Sequence, residues 1–232
     1  MSEPGWAATG TRIRLDLHLH TLGSWDSLSD PDEVLERARS RGIDRIAITD
    51  HNRLAVALEM AERHPERVIA GEEVRTSEGI DLIGLYLQEE IPEGTPAREA
   101  CAEIRAQGGI VYLPHPFAAG KGGGGRHAEE LAPLVDVVEV FNARLLRSAR
   151  NRQADDLARR HGRLRGGGSD AHTVGEVGNV LVDLPAHPNE PEALLRALGD
   201  ARITGRTASP WAFVCSNAAK LRKRLGWATP AP

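Results

Sequence analysis

Residues 13–20 read Ile13-Arg14-Leu15-Asp16-Leu17-His18-Leu19-His20, with an apolar side chain at every second position. This alternation is typical of a β-strand. Because side chains two apart in a strand point to the same side, His18 and His20 are expected to lie on one face. Two imidazoles so placed are close enough to share or flank a metal ion.

The same pattern recurs along the chain and alternates with helical segments. Asp30 predicts the N-cap of a helix over residues 31–41, and Thr95 predicts that of a helix over residues 96–106. Residues 73–75 and 81–87 predict a hairpin that interrupts the alternation. The other predicted strands cover residues 45–49, 67–70, 110–113, 136–140, 163–167, 179–184 and 201–204, and the other helices residues 54–63, 128–131, 149–161 and 190–198.

Six or seven strand–helix alternations predict an α/β fold with a parallel sheet and helical crossovers, which fits a barrel of this length. We expect a single barrel domain over residues 1–232, with a core over about 12–205 and a C-terminal tail over 206–232. Within the tail, residues 210–225 predict a docked helix.

The chain has 232 residues and a formal net charge of −4, from 29 Lys+Arg and 33 Asp+Glu with histidine neutral. This balance argues against a protein that coats duplex nucleic acid, because such proteins usually present a basic face. Cys101 and Cys215 lie far apart and predict reduced thiols. No signal peptide and no run of about 18 apolar residues is visible, so we expect a cytoplasmic protein that does not bind membranes.

The nine histidines fall into two groups. Four lie in predicted helices or loops, outside any cluster of candidate ligand residues, and are interpreted as surface residues: His64, His127, His161 and His187. Five follow predicted strands, whose C-terminal ends meet on one face of a parallel barrel: His18, His20, His51, His115 and His172.

Carboxylates accompany these five histidines. Asp26 follows the first strand, and Asp170 forms an Asp-x-His pair with His172. Of the adjacent Glu72 and Glu73, only one can face the pocket because strand side chains alternate. Asp50 is a possible ligand or a group that orients an imidazole. Imidazoles and carboxylates without thiolates suit two or three divalent ions, with Mn, Zn and Fe all compatible.

Taken together, these segments resemble the PHP (polymerase and histidinol phosphatase) family over about residues 12–205. The segments are 16–21, 49–52, 71–73, 115–116 and 169–172. The resemblance implies a distorted seven-stranded, TIM-like β/α barrel and a di- or trinuclear metal centre. By match to the family's motifs, its ligands are His18, His20, Asp26, His51, Glu73, His115, Asp170 and His172. Where some members carry a further histidine, this chain has Asn142 or Asp81, which leaves the third metal open.

The expected activity is metal-dependent hydrolysis of a phosphoester by a metal-bound hydroxide, with a small phosphorylated or nucleotide substrate. Arg144 is the first choice for a phosphate contact, and Lys121 and Arg126 flank a glycine-rich loop that predicts a lid. Asp50 or a terminal histidine is expected to transfer protons. The run Arg222-Lys223-Arg224 predicts an exposed helix face.

Three other functions stay open. The first is an exonuclease that acts on short single-stranded RNA or DNA, and the second is an amidohydrolase-like C–N hydrolase. The third is a metal-binding domain without catalysis. Expected partners are therefore a small phosphorylated substrate or a short oligonucleotide, without duplex nucleic acid or membrane.

Overall fold

A single sheet of nine strands organises residues 12–119 and 122–227, which are the residues that the computed structural model describes. Its strand order is β7-β6-β5-β4-β3-β2-β1-β8-β9. The strands are β1 Arg12–Leu19, β2 Arg45–His51, β3 Val68–Arg75, β4 Asp81–Leu85, β5 Ile110–Leu113, β6 Val137–Asn142, β7 Leu164–Gly168, β8 Val180–Pro185 and β9 Arg202–Gly205.

Helices connect most of these strands. They are α1 Pro31–Ser40, α2 Ala55–Arg63, α3 Ala97–Ala106, α4 Ala128–Leu131, α5 Ser148–Arg160, α6 Pro191–Leu198 and α7 Pro210–Arg224. The predicted N-cap of α1 is confirmed, because Asp30 Oδ1 accepts the N–H groups of Asp32 and Glu33. The predicted cap of α3 by Thr95 is wrong. Glu78 accepts the Ala97 N–H instead, since Thr95 Oγ1 donates to the Pro92 carbonyl.

The sheet is mixed rather than wholly parallel. Strands β1 to β3 are parallel, as are β5 to β7, but β4 runs antiparallel to both β3 and β5. The predicted hairpin is therefore confirmed. Its first strand is longer than predicted, because Gly71 and Glu72 keep pairing with Leu85 and Gly84 and join the two expected segments into β3.

The barrel nearly closes where β1 meets the segment that follows β7. The N-terminal half of β1 pairs antiparallel with β8. Its C-terminal end instead receives the Asp170 N–H on the His18 carbonyl and donates the His20 N–H to the Ala171 carbonyl, both at 2.8 Å. The result is a distorted, nearly closed α/β barrel, as expected, but its sheet has nine strands rather than the seven predicted, because the antiparallel β8 and β9 extend it beyond β1.

Three consecutive glycines, Gly166 to Gly168, give β7 its close approach to the barrel interior. A Cβ at Gly168 would lie 2.2 Å from the Cβ of His18, and one at Gly166 would lie 2.5 Å from the Tyr112 ring. Both distances are shorter than any van der Waals contact allows. The glycines that weaken the strand signal of β7 are therefore the residues that this position requires.

Two apolar clusters cover the two faces of the sheet. The outer cluster joins α1 to α5 to the strands and includes Leu19. The inner cluster includes Leu15, Leu17 and Tyr112 and is capped by α6. The change of side between Leu17 and Leu19 coincides with an irregularity in the β1–β2 register between Asp16 and Leu19. In the part of the chain that the structure describes, no helix has the length and apolarity to cross a bilayer.

Asp16, a buried residue of β1, stabilises the closure of the barrel. Its Oδ1 accepts the Ser169 N–H at 2.8 Å and its Oδ2 accepts the Gly178 N–H at 2.9 Å. Burial, only partly offset by these hydrogen bonds, raises the pKa of the carboxyl to about 6. Asp16 thus links β1 to segments more than 150 residues away.

We expect Asp16→Ala to lower the free energy of unfolding by about 2–5 kcal/mol, because the buried Ser169 N–H and the half-buried Gly178 N–H lose their acceptor. Urea unfolding followed by circular dichroism measures this. The matched control is Asp156→Ala on the exposed side of α5, for which we expect a change within about 0.5 kcal/mol. An equal, small effect of the two substitutions would contradict the role given to Asp16.

Candidate metal centre

The eight residues predicted as metal ligands converge at one end of the barrel. Six of them line a cavity of about 430 Å³: Asp26, His51, Glu73, His115, Asp170 and His172. The other two, His18 and His20, are buried beneath it, 0% and 1% exposed. The ends of β1, β2, β3, β5 and β7 deliver all of them except Asp26, which a loop carries back over the site. Residues up to 154 positions apart thus form one cluster.

Three groups of side chains within the cluster have ligand atoms less than 4.8 Å apart. The groups are His20–His51–His172, His18–His20–Asp170 and His18–Glu73–His115. Sharing of His18 and His20 between groups makes the three positions adjacent. The predicted same-face arrangement of these two histidines is confirmed by a distance of 3.2 Å between their Nε2 atoms.

Glu73 lies at the centre of the cluster. Its Oε2 is 3.3 Å from the Nε2 atoms of His18 and His20 and 3.2 Å from His51 Nδ1, and its Oε1 is 2.9 Å from His115 Nε2. Glu72 points away from the cavity and accepts the Ile91 N–H at 2.9 Å. The structure therefore places Glu73, and not Glu72, among the candidate ligands.

Asp26 completes the side of the cavity formed by His51 and His172. Its Oδ2 is 3.0 Å from His172 Nε2 and 3.8 Å from His51 Nε2. Its Oδ1 is buried and has no hydrogen-bond partner in the structure. A buried carboxylate oxygen without a partner is costly unless a cation binds it.

The close contacts between imidazoles and carboxylates, together with burial, shift the pKa values of the cluster. Burial opposes protonation of His20 and His115, but hydrogen bonds to carboxylates outweigh it and raise the pKa of each to about 9. Burial, partly opposed by Glu73, lowers the pKa of His51 to about 4. Despite their burial, Glu73 and Asp170 have lowered pKa values because the neighbouring imidazoles stabilise their anions. In the absence of metal, protons thus supply the positive charge that these carboxylates need.

The donor set fits divalent cations. It consists of imidazole nitrogens and carboxylate oxygens in overlapping groups of three, and thiolates are not part of it. The unpartnered Asp26 Oδ1 and His115 Nδ1 are further polar atoms at the cluster. Nitrogen and oxygen ligands of this kind suit Zn²⁺, Mn²⁺ or Fe²⁺.

Glu139 supports the cluster from below, and sequence reasoning missed it. This buried carboxylate on β6 lies 3.0 Å from His18 Nδ1 and accepts the His115 N–H at 2.8 Å. It also accepts hydrogen bonds from the Tyr112 hydroxyl and the Asn142 amide. The available signal was an acidic residue inside the apolar run of residues 137–140. A carboxylate in this position orients a ligand imidazole and fixes its tautomer.

Asp50 lies behind the cavity and does not line it. Its carboxylate accepts hydrogen bonds from the Thr21 N–H, the Thr21 hydroxyl and the Ser24 hydroxyl. Ser24 Oγ is in turn 2.9 Å from His20 Nδ1. The expectation that Asp50 transfers protons directly to substrate does not fit this position, because loop 21–24 occupies both oxygens. The arrangement fits the alternative that Asp50 orients an imidazole.

Backbone strain is concentrated at the site. His115 and Asp170 have φ angles of 27° and 51°, in the left-handed region that non-glycine residues rarely adopt. The contact of His115 with Glu139 and that of the Asp170 N–H with the His18 carbonyl hold these conformations. Strain retained at two candidate ligands is characteristic of a functional site.

Arg144, the predicted phosphate contact, lines the cavity. Its guanidinium donates from Nη2 to Ser216 Oγ at 2.9 Å and lies 4.7 Å from the centre of the Phe213 ring. Of the two predicted lid residues, Lys121 lies outside the described residues. The backbone of Arg126 lies in a 3-10 turn, Gly125–His127, and its side chain is outside the described part of the structure.

Asn142 and Asp81, the two positions at which some family members carry a further histidine, are both at the site. The Asn142 amide donates to Glu139 and Asp170 and so holds two carboxylates of the cluster. Asp81 lines the cavity and accepts a hydrogen bond from Arg75 at 2.7 Å. Burial raises the pKa of Asp81 to about 6.

Two predictions about residues outside the ligand set need correction. His187 is buried rather than on the surface, because its Nε2 lies 3.1 Å from Arg45 Nη1. Lys223 is not part of an exposed face, since its ammonium donates to the carbonyl oxygens of Leu22 and Ser24. Lys220 and Trp25 also line the cavity, and sequence reasoning missed both.

Comparison with known proteins finds two family matches and several similar proteins for this chain. The family described as PHP domain matches residues 16–112, and that described as PHP-associated matches residues 149–203. Two uncharacterized proteins of Methanocaldococcus jannaschii, MJ1587 and MJ0417, are each 37% identical to the chain. The matches cover 56% and 73% of this chain and 82% and 70% of those proteins.

Two further proteins are similar over different extents. A phosphoribosyl 1,2-cyclic phosphate 1,2-diphosphodiesterase of Eggerthella lenta is 34% identical over 93 residues, which is 37% of this chain and 34% of that protein. The crystal structure of PsfC from Pseudomonas syringae shares the fold, with a TM-score of 0.67 and 20% identity over 93% of this chain and all of that chain. With these matches and the metal-ligand cluster in place, the chain belongs to the PHP family of metal-dependent phosphoesterases.

Proposed function

We propose that the chain hydrolyses small phosphoesters, as a phosphatase or phosphodiesterase, with two or three divalent ions as cofactors. The observation that carries the proposal is the set of three overlapping ligand groups in one cavity. Ions at these positions would be held by the eight residues named above, and Mn²⁺, Zn²⁺ and Fe²⁺ are the candidates. When bound, they would supply Lewis-acid charge and lower the pKa of a water molecule.

The chain's own residues prepare the cavity for an anionic substrate. Among the described residues, five carboxylates line the cavity and outnumber its three Lys or Arg side chains, so positive charge is needed where a phosphate would bind. Arg144 and Lys220 line its walls and provide positive charge where the phosphate oxygens would lie. Arg144 is pre-oriented by Ser216 and Phe213, which reduces the entropy lost when its guanidinium binds phosphate.

Cavity size and one relative support a small substrate. A volume of about 430 Å³ is within the usual range for a small-molecule site. The partially matching protein from Eggerthella lenta is a diphosphodiesterase, whose name specifies a cyclic phosphate of phosphoribose. We propose a small phosphorylated compound or nucleotide phosphate for this chain. Hydrolysis of short single-stranded RNA or DNA, or of a C–N bond, is an alternative outcome of the assay.

We expect protein loaded with Mn²⁺ or Zn²⁺ to release phosphate from members of a phosphoester panel, and a His18→Ala, His20→Ala variant to lose about 10³-fold or more in kcat/KM. The control is His64→Ala, which alters a histidine at the C-cap of α2 that is neither a candidate ligand nor a lining residue of the cavity. A labelled oligonucleotide and an amide substrate belong in the same panel. Hydrolysis by the double variant at the unaltered rate, or cleavage of the amide alone, would refute the proposal.

We expect Glu139→Gln to weaken metal affinity by about 10–100-fold, because His18 loses the carboxylate that orients it. Competition with a chromophoric chelator measures the affinity, and excess metal is expected to restore part of the activity. Glu72→Gln is the matched control, since it alters a buried glutamate that faces away from the cluster. Equal losses of affinity in the two variants would show that the effect is not specific to His18.

We expect the affinity for Mn²⁺ or Zn²⁺ to rise with pH from about 6.5 to about 9. His20 and His115 have pKa values raised to about 9, so each carries a proton through this range that must leave before the nitrogen binds metal. Above about pH 9 the dependence should flatten. Chelator competition at fixed ionic strength checks this, and an affinity that is constant or falls over the range would contradict it.

A further inference from the structure

The C-terminal helix α7 forms one wall of the metal cavity, although neither family match extends to it. Its inward face is buried at Ala212, Ser216 and Ala219. Lys223 fastens the helix to the loop after β1 through the carbonyl oxygens of Leu22 and Ser24. Since Ser216 also holds Arg144, docking of α7 determines where the basic groups of this wall lie.

Lys220 lies one helical turn after Ser216. Its ammonium is 4.4 Å from the centre of the Trp25 ring and 3.7 Å from Asp26 Oδ2. A cation–π contact and an ion pair thus hold it in place. This position is the boundary between the metal cavity and a second cavity of about 390 Å³, because Lys220 lines both.

The two cavities are adjacent and differ in charge. They share Trp25, His51, Asn52, Glu93 and Lys220. Among the residues that the structure describes, five carboxylates line the metal cavity, against three Lys or Arg side chains. In the second cavity the balance is reversed, since its described lining has Glu93 as the sole carboxylate and four basic residues: Arg53, Lys220, Lys223 and Arg224.

The excess of basic residues in the second cavity is local, because the chain as a whole carries a formal net charge of −4. The ammonium of Lys223 is engaged with carbonyl oxygens, so it contributes charge rather than a direct contact. Arg53 and Arg224 lie at the exposed rim, and Lys220 lies at the inner end. An anion in this cavity gains charge-assisted hydrogen bonds and stays apart from the carboxylates of the metal cavity.

We propose that the second cavity is an anion subsite, and that the preferred phosphoester carries a second anionic group on its organic part. The proposal rests on the proposed function for the group that reacts. Lys220, on the boundary, contacts the substrate between its two charged ends. Recognition of both ends selects a doubly anionic small molecule over a simple monoester.

Binding of non-hydrolysable probes tests this without turnover. An alkylphosphonate and a series of α,ω-alkane bisphosphonates of increasing linker length are titrated calorimetrically into the Mn²⁺-loaded protein. At the best linker length we expect the bisphosphonate to bind at least about tenfold more tightly than the monophosphonate. Arg224→Ala and, separately, Lys220→Met should each reduce that ratio at least about threefold, and Lys220→Arg should retain it.

The matched control is Arg222→Ala, which removes an exposed charge from the same helix but lines neither cavity. We expect it to keep the ratio. The proposal is overturned if no linker length gives an advantage, or if Arg222→Ala lowers the ratio as much as Arg224→Ala does. If the metal-loaded protein hydrolyses no phosphoester but still prefers the bisphosphonate, the proposed function is refuted and the subsite stands. If it hydrolyses phosphoesters but shows no bisphosphonate preference, the subsite is refuted and the proposed function stands.

Discussion

The pairing of β1 with the segment after β7 is the contact on which both fold and site depend. Two backbone hydrogen bonds, from Asp170 N–H to the His18 carbonyl and from His20 N–H to the Ala171 carbonyl, close the barrel. The same bonds place Asp170 and His172 beside His18 and His20. Because Asp170 and His172 join the other imidazoles and carboxylates only when this seam forms, the complete cluster is absent from the unfolded chain, and bound metal would stabilise the closed barrel by mass action.

Strand ends were the part of the site that sequence could predict. An apolar run followed by His-x-His or Asp-x-His fixes the side-chain direction, since strand periodicity is two and parallel strand ends share one face. The choice of Glu73 over Glu72 followed from the resemblance. Asp16 and Glu139 are different, because their partners are backbone groups or side chains distant along the chain. Only tertiary contact shows that each of them positions a neighbour.

The contribution of α7 was beyond sequence reasoning for a related reason. A basic run at the end of a helix is usually solvated, and residues 222–224 give no sign of which side docks. The structure turns Lys223 inward to carbonyl oxygens and places Lys220 over Trp25. Side chains one or two turns apart on a helix therefore differ completely in role, and the docking geometry alone decides which charge reaches the cavity.

The charge of the metal-ligand cluster explains why the site needs basic side chains on its walls. The carboxylates of the cluster are needed to bind cations, but each of them repels a phosphoester unless a metal ion or a protonated imidazole offsets its charge. Arg144 and Lys220 add positive charge on the walls, and both are held through α7 or through residues it contacts. Keeping the carboxylates of the metal cluster apart from a basic wall would let one small, slightly acidic chain bind metal ions and an anionic substrate side by side. The barrel supplies the first of these surfaces, and the helix that follows it supplies most of the second.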